Sequence, residues 1–231
     1  MSMEKIVISF GGSVVVPDKP DTKYMMEIKN MLLELMKEYQ IFVVVGGGRT
    51  ARTYINSIKS FYHNDTFLDN VGITATRINA LFFISAFLKE ELTPPFIPEN
   101  FERAAELSKK YPLIVMGGTH PGHTTDAVAA MLGEFVGAKK FINITNVPGV
   151  YDSDPKTNPK AKMITSMNYK KLRSIVFKEK NGAGMNVVID PVAVDILERS
   201  GMTSYVVGKD IANIKKAVRG ETFIGTLIQG D

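Results

Sequence analysis

The sequence IVISFGGS at residues 6–13 is a short, mostly apolar run that ends in two glycines and a serine. The same design returns as IFVVVGGGR at residues 41–49 and as LIVMGGTH at residues 113–120. An apolar or β-branched run that stops at glycines is typical of a strand that leads into a tight loop. Three such units predict three buried strands whose loops meet at the carboxyl edge of one sheet.

The rest of the chain alternates between strand and helix patterns. A helix is predicted to begin after Asp21, which can cap it, because apolar residues then recur every three or four positions. Further strands are predicted over residues 140–144, 204–207 and 223–228, and further helices over residues 70–88, 100–110, 126–136, 191–200 and 210–219. Prolines and other turn-forming residues mark loops at 93–98 and 152–162. Alternation of this kind predicts an α/β protein with a mainly parallel sheet and helices on both faces.

Length and composition indicate one well-packed domain. The chain has 231 residues, of which 45% are hydrophobic and 23% charged, and no Gly, Ser or Pro-rich linker divides it. The formal net charge of +4 is scattered along the chain rather than clustered with aromatic residues, which argues against nucleic acid as the main partner. The absence of cysteine excludes disulfides, thiolate metal sites and a cysteine nucleophile. With no signal peptide pattern and no apolar stretch of membrane-spanning length, we expect a cytoplasmic protein that does not contact membranes.

The glycine loops indicate phosphate binding. Glycines between a strand and a helix let backbone amides approach an oxyanion closely. A single pair of glycines is more often an ordinary tight turn, but three such loops, with Arg49 and Arg52 beyond the second, favour two phosphorylated ligands and phosphoryl transfer. The chain contains no Gly-x-x-x-x-Gly-Lys-Ser/Thr motif, which excludes a P-loop NTPase.

Two other interpretations stay open at this point. Residues 46–51 also fit the Gly-x-Gly-x-x-Ala fingerprint of a dinucleotide-binding fold, with Asp69 at a suitable distance, so an NAD-dependent oxidoreductase is an alternative. His120 and His123 could bind a metal, but His63 lies in a loop and no acidic cluster accompanies them, so we expect no metal held by the protein. Asp126 can serve as the cap of the helix that follows, a role compatible with catalysis.

Several motifs together resemble the amino-acid kinase family over nearly the whole chain. They are FGGS at 10–13, VGGGRTAR at 45–52, residues 117–126, ITNVPGVY at 144–151 and GTLI at 225–228. Within that family, THPGHTTD at 119–126 is similar to the archaeal type of uridylate kinase. The resemblance implies an α/β/α sandwich with a phosphate-acceptor lobe over about residues 1–140 and an ATP lobe over about residues 141–231. It also implies transfer of a phosphoryl group from ATP to UMP with Mg²⁺, and a homo-oligomer, specifically a hexamer.

The resemblance assigns roles to individual residues. Contacts to ATP are implied for Gly12, Ser13, Gly48, Arg52, Thr145, Tyr151 and Asp154. Contacts to UMP are implied for Gly47, Asp69, Thr119, His120, Pro121, Gly122, His123, Thr124 and Thr125. The catalytic group is expected to comprise Asp126, which orients the reacting groups, together with Arg52 and Arg49, which neutralise charge.

One position departs from the family pattern. Most of the family carry a lysine two residues before the first glycine, and this chain has Ser9 there. Lys5, Arg49 and Arg52 are the candidates to supply the missing charge. Because of the missing lysine, a non-catalytic protein that binds nucleotides or oxyanions is an alternative. Another is a kinase of the same fold for acetylglutamate, carbamate or isopentenyl phosphate, since the acceptor depends on residues 119–125 and the surroundings of Asp69.

Overall fold

The computed structural model describes residues 3–153, 155, 157–180 and 188–230. Within these ranges the strands form one sheet in the order β3-β2-β1-β4-β6-β7-β5, and every neighbouring pair is parallel except β6 with β7. The strands are β1 (Glu4–Phe10), β2 (Tyr39–Val45), β3 (Leu113–Met116), β4 (Lys140–Ile144), β5 (Ser166–Asn168), β6 (Thr203–Val207) and β7 (Gly225–Gln229). The mainly parallel α/β sheet predicted from the sequence is confirmed.

Helices cover both faces of this sheet. They are α1 (Gly12–Val15), α2 (Thr22–Leu35), α3 (Gly48–Lys59), α4 (Asp65–Ser85), α5 (Phe101–Leu107), α6 (Thr125–Val136), α7 (Tyr169–Lys180), α8 (Pro191–Ser200) and α9 (Ile211–Arg219). Successive residues of a strand point to opposite faces, so Ile6, Ile8 and Phe10 pack with α2, α4 and α9, while Val7 packs with α6 and α8. No helix in the part of the chain that the structure describes is long and apolar enough to cross a bilayer.

Most of the predicted elements are present. The strands at 113–116 and 140–144 and the helix at 191–200 have the predicted bounds, and Asp21 caps α2 by accepting a hydrogen bond from the Tyr24 amide at 3.0 Å. Helix α4 begins earlier than predicted, at Asp65, because Asn64 caps it through the Phe67 amide.

The sequence prediction missed α1, α3, α7 and β5, of which α1 has only four residues. Helix α3 contains no buried residue and begins inside the second glycine run, so its pattern lacks an apolar core stripe. Helix α7 is rich in lysine and arginine, and β5 has only three residues. Such short or polar elements are formed by tertiary packing rather than by a strong local signal.

The buried hydroxyl of Tyr169 helps to hold helix α7 at the edge of the sheet where β5 lies. Tyr169, the first residue of α7, is 1% exposed. Its hydroxyl donates to the Met202 carbonyl oxygen at 2.5 Å and lies 2.7 Å from Ser204 Oγ. These contacts tie α7 to β6 and to the segment before it.

We expect Tyr169→Phe to lower the free energy of unfolding by about 1–2 kcal/mol, because the Met202 carbonyl would stay buried without its donor. Urea denaturation followed by circular dichroism measures the change. Tyr54→Phe is the matched control, since Tyr54 is 60% exposed and its substitution is expected to change the free energy by less than about 0.5 kcal/mol. Equal losses in the two variants would contradict the role of the Tyr169 hydroxyl.

Candidate functional site

The first two glycine loops touch each other through their backbones. A Cβ atom on Gly12 would lie 2.0 Å from the Gly48 nitrogen, and one on Gly46 would lie 2.6 Å from the Gly12 nitrogen. Gly48 also has a φ of +57°, which favours glycine. The glycines are therefore required mainly by close approach of two chain segments, and the surface they form consists of backbone rather than side chains.

Helix α4 holds the second and third glycine loops in place. The Asn79 side-chain amide donates to the carbonyl oxygens of Gly46 and Gly47 at 2.9 and 3.1 Å. Thr76 Oγ1 accepts a hydrogen bond from the Gly118 amide at 2.7 Å. Both side chains are buried, at 3% and 6% exposure. Neither residue was predicted from the sequence, although a polar residue on the apolar face of a predicted helix is a recognisable signal.

A cavity of about 610 Å³ opens at the carboxyl ends of β1, β2 and β4. It is lined by most of the residues predicted to contact ATP, namely Gly12, Ser13, Gly48, Arg52, Thr145 and Tyr151. Asp154, which was predicted with them, lies outside the described residues. One wall is apolar and was not predicted; it comprises Val147, Val150, Leu172, Ile175, Val176 and Ile189. A cavity with a polar backbone end and an apolar end suits a ligand that has a phosphate chain and a flat ring.

The predicted acceptor residues lie beside this cavity. Gly47 and Thr125 line it, whereas Asp69 and residues 119–124 do not. Asp69 and the 119–124 loop are nevertheless in contact, since Asp69 Oδ2 accepts a hydrogen bond from the Gly122 amide at 2.8 Å. Gly122 has a φ of +81° and its Cβ position faces open space. The structure therefore brings Asp69 into contact with the 119–124 loop, and this loop leads through Thr125 to the cavity wall.

The three basic candidates have different surroundings. Arg52 lines the cavity, and its Nη2 donates to Ser13 Oγ at 2.9 Å. Arg49 is outside the cavity wall and forms an exposed ion pair with Asp18. Lys5 is wrong as a candidate for the missing charge, because its Nζ donates to the Val136 carbonyl at the far end of α6. It precedes Ser9 by four strand residues, or about 13 Å.

Asp126 lies where four elements meet. It occupies the first turn of α6, and its Oδ1 accepts from the Ser9 hydroxyl at 2.7 Å. The Asn143 side chain and the Asp190 backbone are the other polar groups beside its carboxylate. The pKa of Asp126 is raised to about 6, chiefly by burial and also by the nearby Asp190 carboxylate, against the lowering effect of Ser9, Asn143 and the Asp190 backbone.

The interpretation of Asp126 as the helix cap is wrong. Thr124 caps α6, because its Oγ1 accepts from the Ala127 amide at 3.2 Å. The Asp126 carboxylate points instead into the cavity that the glycine loops border. It is therefore available for chemistry.

Metal ligands are not grouped in the described ranges. No three His, Cys, Asp or Glu side chains come together there in an arrangement that could hold a metal ion. His120 and His123 both lie in the loop that contacts Asp69, at the exposed rim.

Comparisons with known proteins agree with this geometry. The chain is 44% identical to the uridylate kinase of Thermococcus sibiricus over 226 residues, which is 97% of this chain and 99% of the relative. It is 46% identical to the uridylate kinase of Pyrococcus abyssi over 220 residues, covering 94% of this chain and 96% of the relative.

A solved structure extends the comparison to the fold. The crystal structure of uridylate kinase from Archaeoglobus fulgidus superposes with a TM-score of 0.86 at 44% identity, and covers 96% of this chain and 99% of that one. The family model of the amino acid kinase family matches residues 4–208. The chain therefore belongs to the amino acid kinase family.

Proposed function

We propose that this protein is a uridylate kinase, which transfers the γ-phosphoryl group of ATP to UMP and releases UDP and ADP. The observation that carries the proposal is the pairing of the 610 Å³ cavity with a threonine-rich loop at its rim. The relatives described above, at 44% and 46% identity over nearly full length, are named uridylate kinases and support the same acceptor. We place the activity in the supply of pyrimidine nucleotides in the cytoplasm.

The donor side is assigned to the cavity. Its apolar wall suits the adenine ring, and the paired loops that contain Gly12 and Gly48 offer backbone amides to the phosphate chain. Ser13 and Arg52, which hydrogen-bond to each other, stand at the same end. Thr145 and Tyr151 border the adenosine side, where the resemblance assigns them.

The acceptor side is assigned to Gly47, Asp69 and the loop from Thr119 to Thr125. Asp69 accepts one hydrogen bond from Gly122 through Oδ2, and a carboxylate has further lone pairs for ribose hydroxyls. The loop contains Thr119, His120, Pro121, His123, Thr124 and Thr125, whose hydroxyl, imidazole and backbone groups suit a base and a phosphate. It leads directly into α6 and Asp126.

The chemistry needs no nucleophile from the protein. The phosphate of UMP attacks the γ-phosphorus, and the bond to the bridging oxygen of ADP breaks. The UMP phosphate is already largely ionised at neutral pH, so no general base is needed. The protein aligns the two nucleotides and neutralises charge, with Asp126 holding its neighbours in place and Arg52 as the cation at the cavity.

Magnesium enters this scheme as part of the substrate. The described residues form no cage of three or more metal-ligating side chains, whereas Mg²⁺ commonly binds through substrate phosphates with only one or two carboxylates. We therefore propose MgATP as the donor. The ion would supply positive charge to the transferring group.

We also propose that the protein forms a homo-oligomer, with a hexamer as the state that the family resemblance implies. An exposed seam on α4, the α4 stripe, supports this; it consists of Phe67, Val71, Thr74, Ile78, Leu81 and Ser85. These residues repeat at alternating steps of four and three, as in a coiled-coil seam. Three of them are large, apolar and about half exposed: Phe67 at 48%, Ile78 at 56% and Leu81 at 48%.

The first prediction that follows from the proposed function concerns the acceptor. With ATP and Mg²⁺, we expect ADP release with UMP and less than about 1% of that rate with acetylglutamate, carbamate or isopentenyl phosphate, because each lacks the base and ribose. A coupled ADP-release assay measures this. Turnover with one of those acceptors alone would assign another kinase activity to the fold, and nucleotide binding without turnover would favour a non-catalytic protein.

The second prediction concerns Asp126. We expect Asp126→Asn to lower kcat by about 10²-fold and to change the KM values for ATP and UMP by less than about threefold, because the carboxylate acts on the aligned complex. Asp195→Asn is the matched control, since Asp195 is exposed, pairs with Arg173 of α7 and does not line the cavity. An unchanged kcat in Asp126→Asn would remove Asp126 from the mechanism.

The same carboxylate predicts a pH dependence. Because burial raises the pKa of Asp126 to about 6, the ionised form dominates above pH 6 and is lost below it, so kcat should fall as the pH drops through 6. Phosphate monoesters titrate in the same range. We therefore expect the fall in kcat at acidic pH to become smaller in Asp126→Asn when UMP is saturating. An unaltered fall would contradict the assignment of this pH dependence to Asp126.

The third prediction concerns assembly. We expect the double variant Ile78→Asp, Leu81→Asp to lower the oligomer mass measured by light scattering, because buried carboxylates would oppose pairing of the α4 stripe. Ile224→Asp is the control, since Ile224 is 66% exposed and lies away from α4. A wild-type monomer, or an unchanged mass in the double variant, would contradict the interface.

A further inference from the structure

Neutral groups, rather than a cation, surround the Asp126 carboxylate. It accepts a hydrogen bond from the Ser9 hydroxyl, and the Asn143 side chain and the Asp190 backbone are the neighbouring groups that also lower its pKa. The charged group that acts on it among the described residues is Asp190, an acid. Because no cation offsets its negative charge, the ionised form of Asp126 depends on each neutral donor beside it.

Strand pairing places two of these donors side by side. Ser9 on β1 is directly opposite Asn143 on β4 in the parallel register. Both side chains point to the face of the sheet that α6 covers, and they are 0% and 2% exposed. A polar pair on neighbouring strands of a buried sheet needs internal partners, and Asp126 is the partner that they share.

Asn143 makes a second contact that Ser9 lacks. Its Nδ2 also donates to the Val188 carbonyl oxygen at 2.9 Å. Val188 and Ile189 line the cavity assigned to ATP, and Asp190 follows as the cap of α8. One side-chain amide therefore links the acid of α6 to the wall of the donor cavity.

We propose that Asn143 is a positioning residue for phosphoryl transfer, which holds the Asp126 carboxylate in register with the Val188–Asp190 wall of the donor cavity. This inference rests on the proposed kinase function. Asn143 also lines the donor cavity, and the role proposed for it is to position Asp126 rather than to react. Filling of the donor cavity and the orientation of Asp126 are coupled through the hydrogen bond of Asn143 to Val188 and its position beside Asp126.

The coupling has a consequence for the charge on Asp126. Ser9 faces the carboxylate from β1, Asn143 from β4 and Asp190 from the segment before α8. Loss of the Asn143 donor removes one of the groups that lower the pKa of Asp126, while burial and the Asp190 charge continue to raise it. The pKa of Asp126 should then rise by about one unit, since a hydrogen bond to the ionised form lowers it.

Asn143→Val tests the proposal, because valine suits a buried strand. We expect kcat to fall by about tenfold with KM values for UMP and ATP within about threefold, and the acidic limb of kcat to move up by about one pH unit. In an Asp126→Asn background the same substitution should lower kcat by less than about twofold, because the acid through which it acts is gone. Additive losses in the double variant would overturn the proposal.

Ser9→Ala is the matched control variant. It removes a donor to Asp126 and leaves the hydrogen bond to Val188 in place. The acidic limb of kcat should therefore move, while the change that nucleotide binding causes in the Val188–Asp190 wall should stay as in the wild type. Equal effects of Ser9→Ala and Asn143→Val on that response would show that the link to Val188 has no role. Thermal melting of each variant identifies any loss of fold.

The wild-type protein supplies a test that needs neither activity nor a folded variant at 143. The side-chain amide resonances of Asn143 should titrate with a midpoint near pH 6, the pKa of Asp126. Because Asn143 lines the donor cavity, the informative response to the β,γ-imido analogue of ATP is a change in this titration midpoint. Resonances that respond to neither would overturn the proposal even if the protein phosphorylates UMP. Resonances that respond to both would support the link even if UMP is not the acceptor.

Discussion

The arrangement of the site depends on the contact between the backbones of the first two glycine loops. Any Cβ atom at Gly12 or Gly46 would overlap main-chain atoms of the opposite loop. This contact closes the gap between β1 and β2 at their carboxyl ends and leaves amides as the exposed surface. Asn79 completes the arrangement by donating to the carbonyls of Gly46 and Gly47, so one buried side chain on α4 fixes the second glycine loop, whose glycines have no side chains to do so.

The same edge of the sheet joins the two parts of the chain. Ser9 and Asp126 come from the segment predicted as the acceptor lobe, and Asn143 and Asp190 from the segment predicted as the ATP lobe. These residues meet where β1 and β4 lie side by side at the centre of the sheet. An acid placed at such a junction can respond to ligands on either side, because each ligand contacts one of the segments that orient it.

Local sequence pattern was enough to predict the repeated strand-glycine units and the elements that have a buried apolar face. The strand-glycine units, the cap at Asp21 and the bounds of β3, β4 and α8 all follow from periodicity and turn chemistry. What could not be predicted depends on tertiary contact. Thr76, Asn79 and Asn143 are polar residues whose importance lies in partners 32 to 45 positions away. Local pattern could not identify Thr124 rather than Asp126 as the cap of α6, since several adjacent residues could have capped this helix.

The position of Ser9 shifts the distribution of charge in the site. A lysine there would place a cation beside Asp126 in the buried centre of the sheet, whereas Ser9 provides one neutral donor. Lys5 is bonded at the opposite end of α6, and Arg49 is paired with Asp18 at the surface, which leaves Arg52 as the arginine on the cavity wall. A transferring phosphoryl group carries charge on three oxygens, more than one arginine and backbone amides readily offset. Cation charge brought in on the nucleotide therefore has a larger share of the stabilisation here.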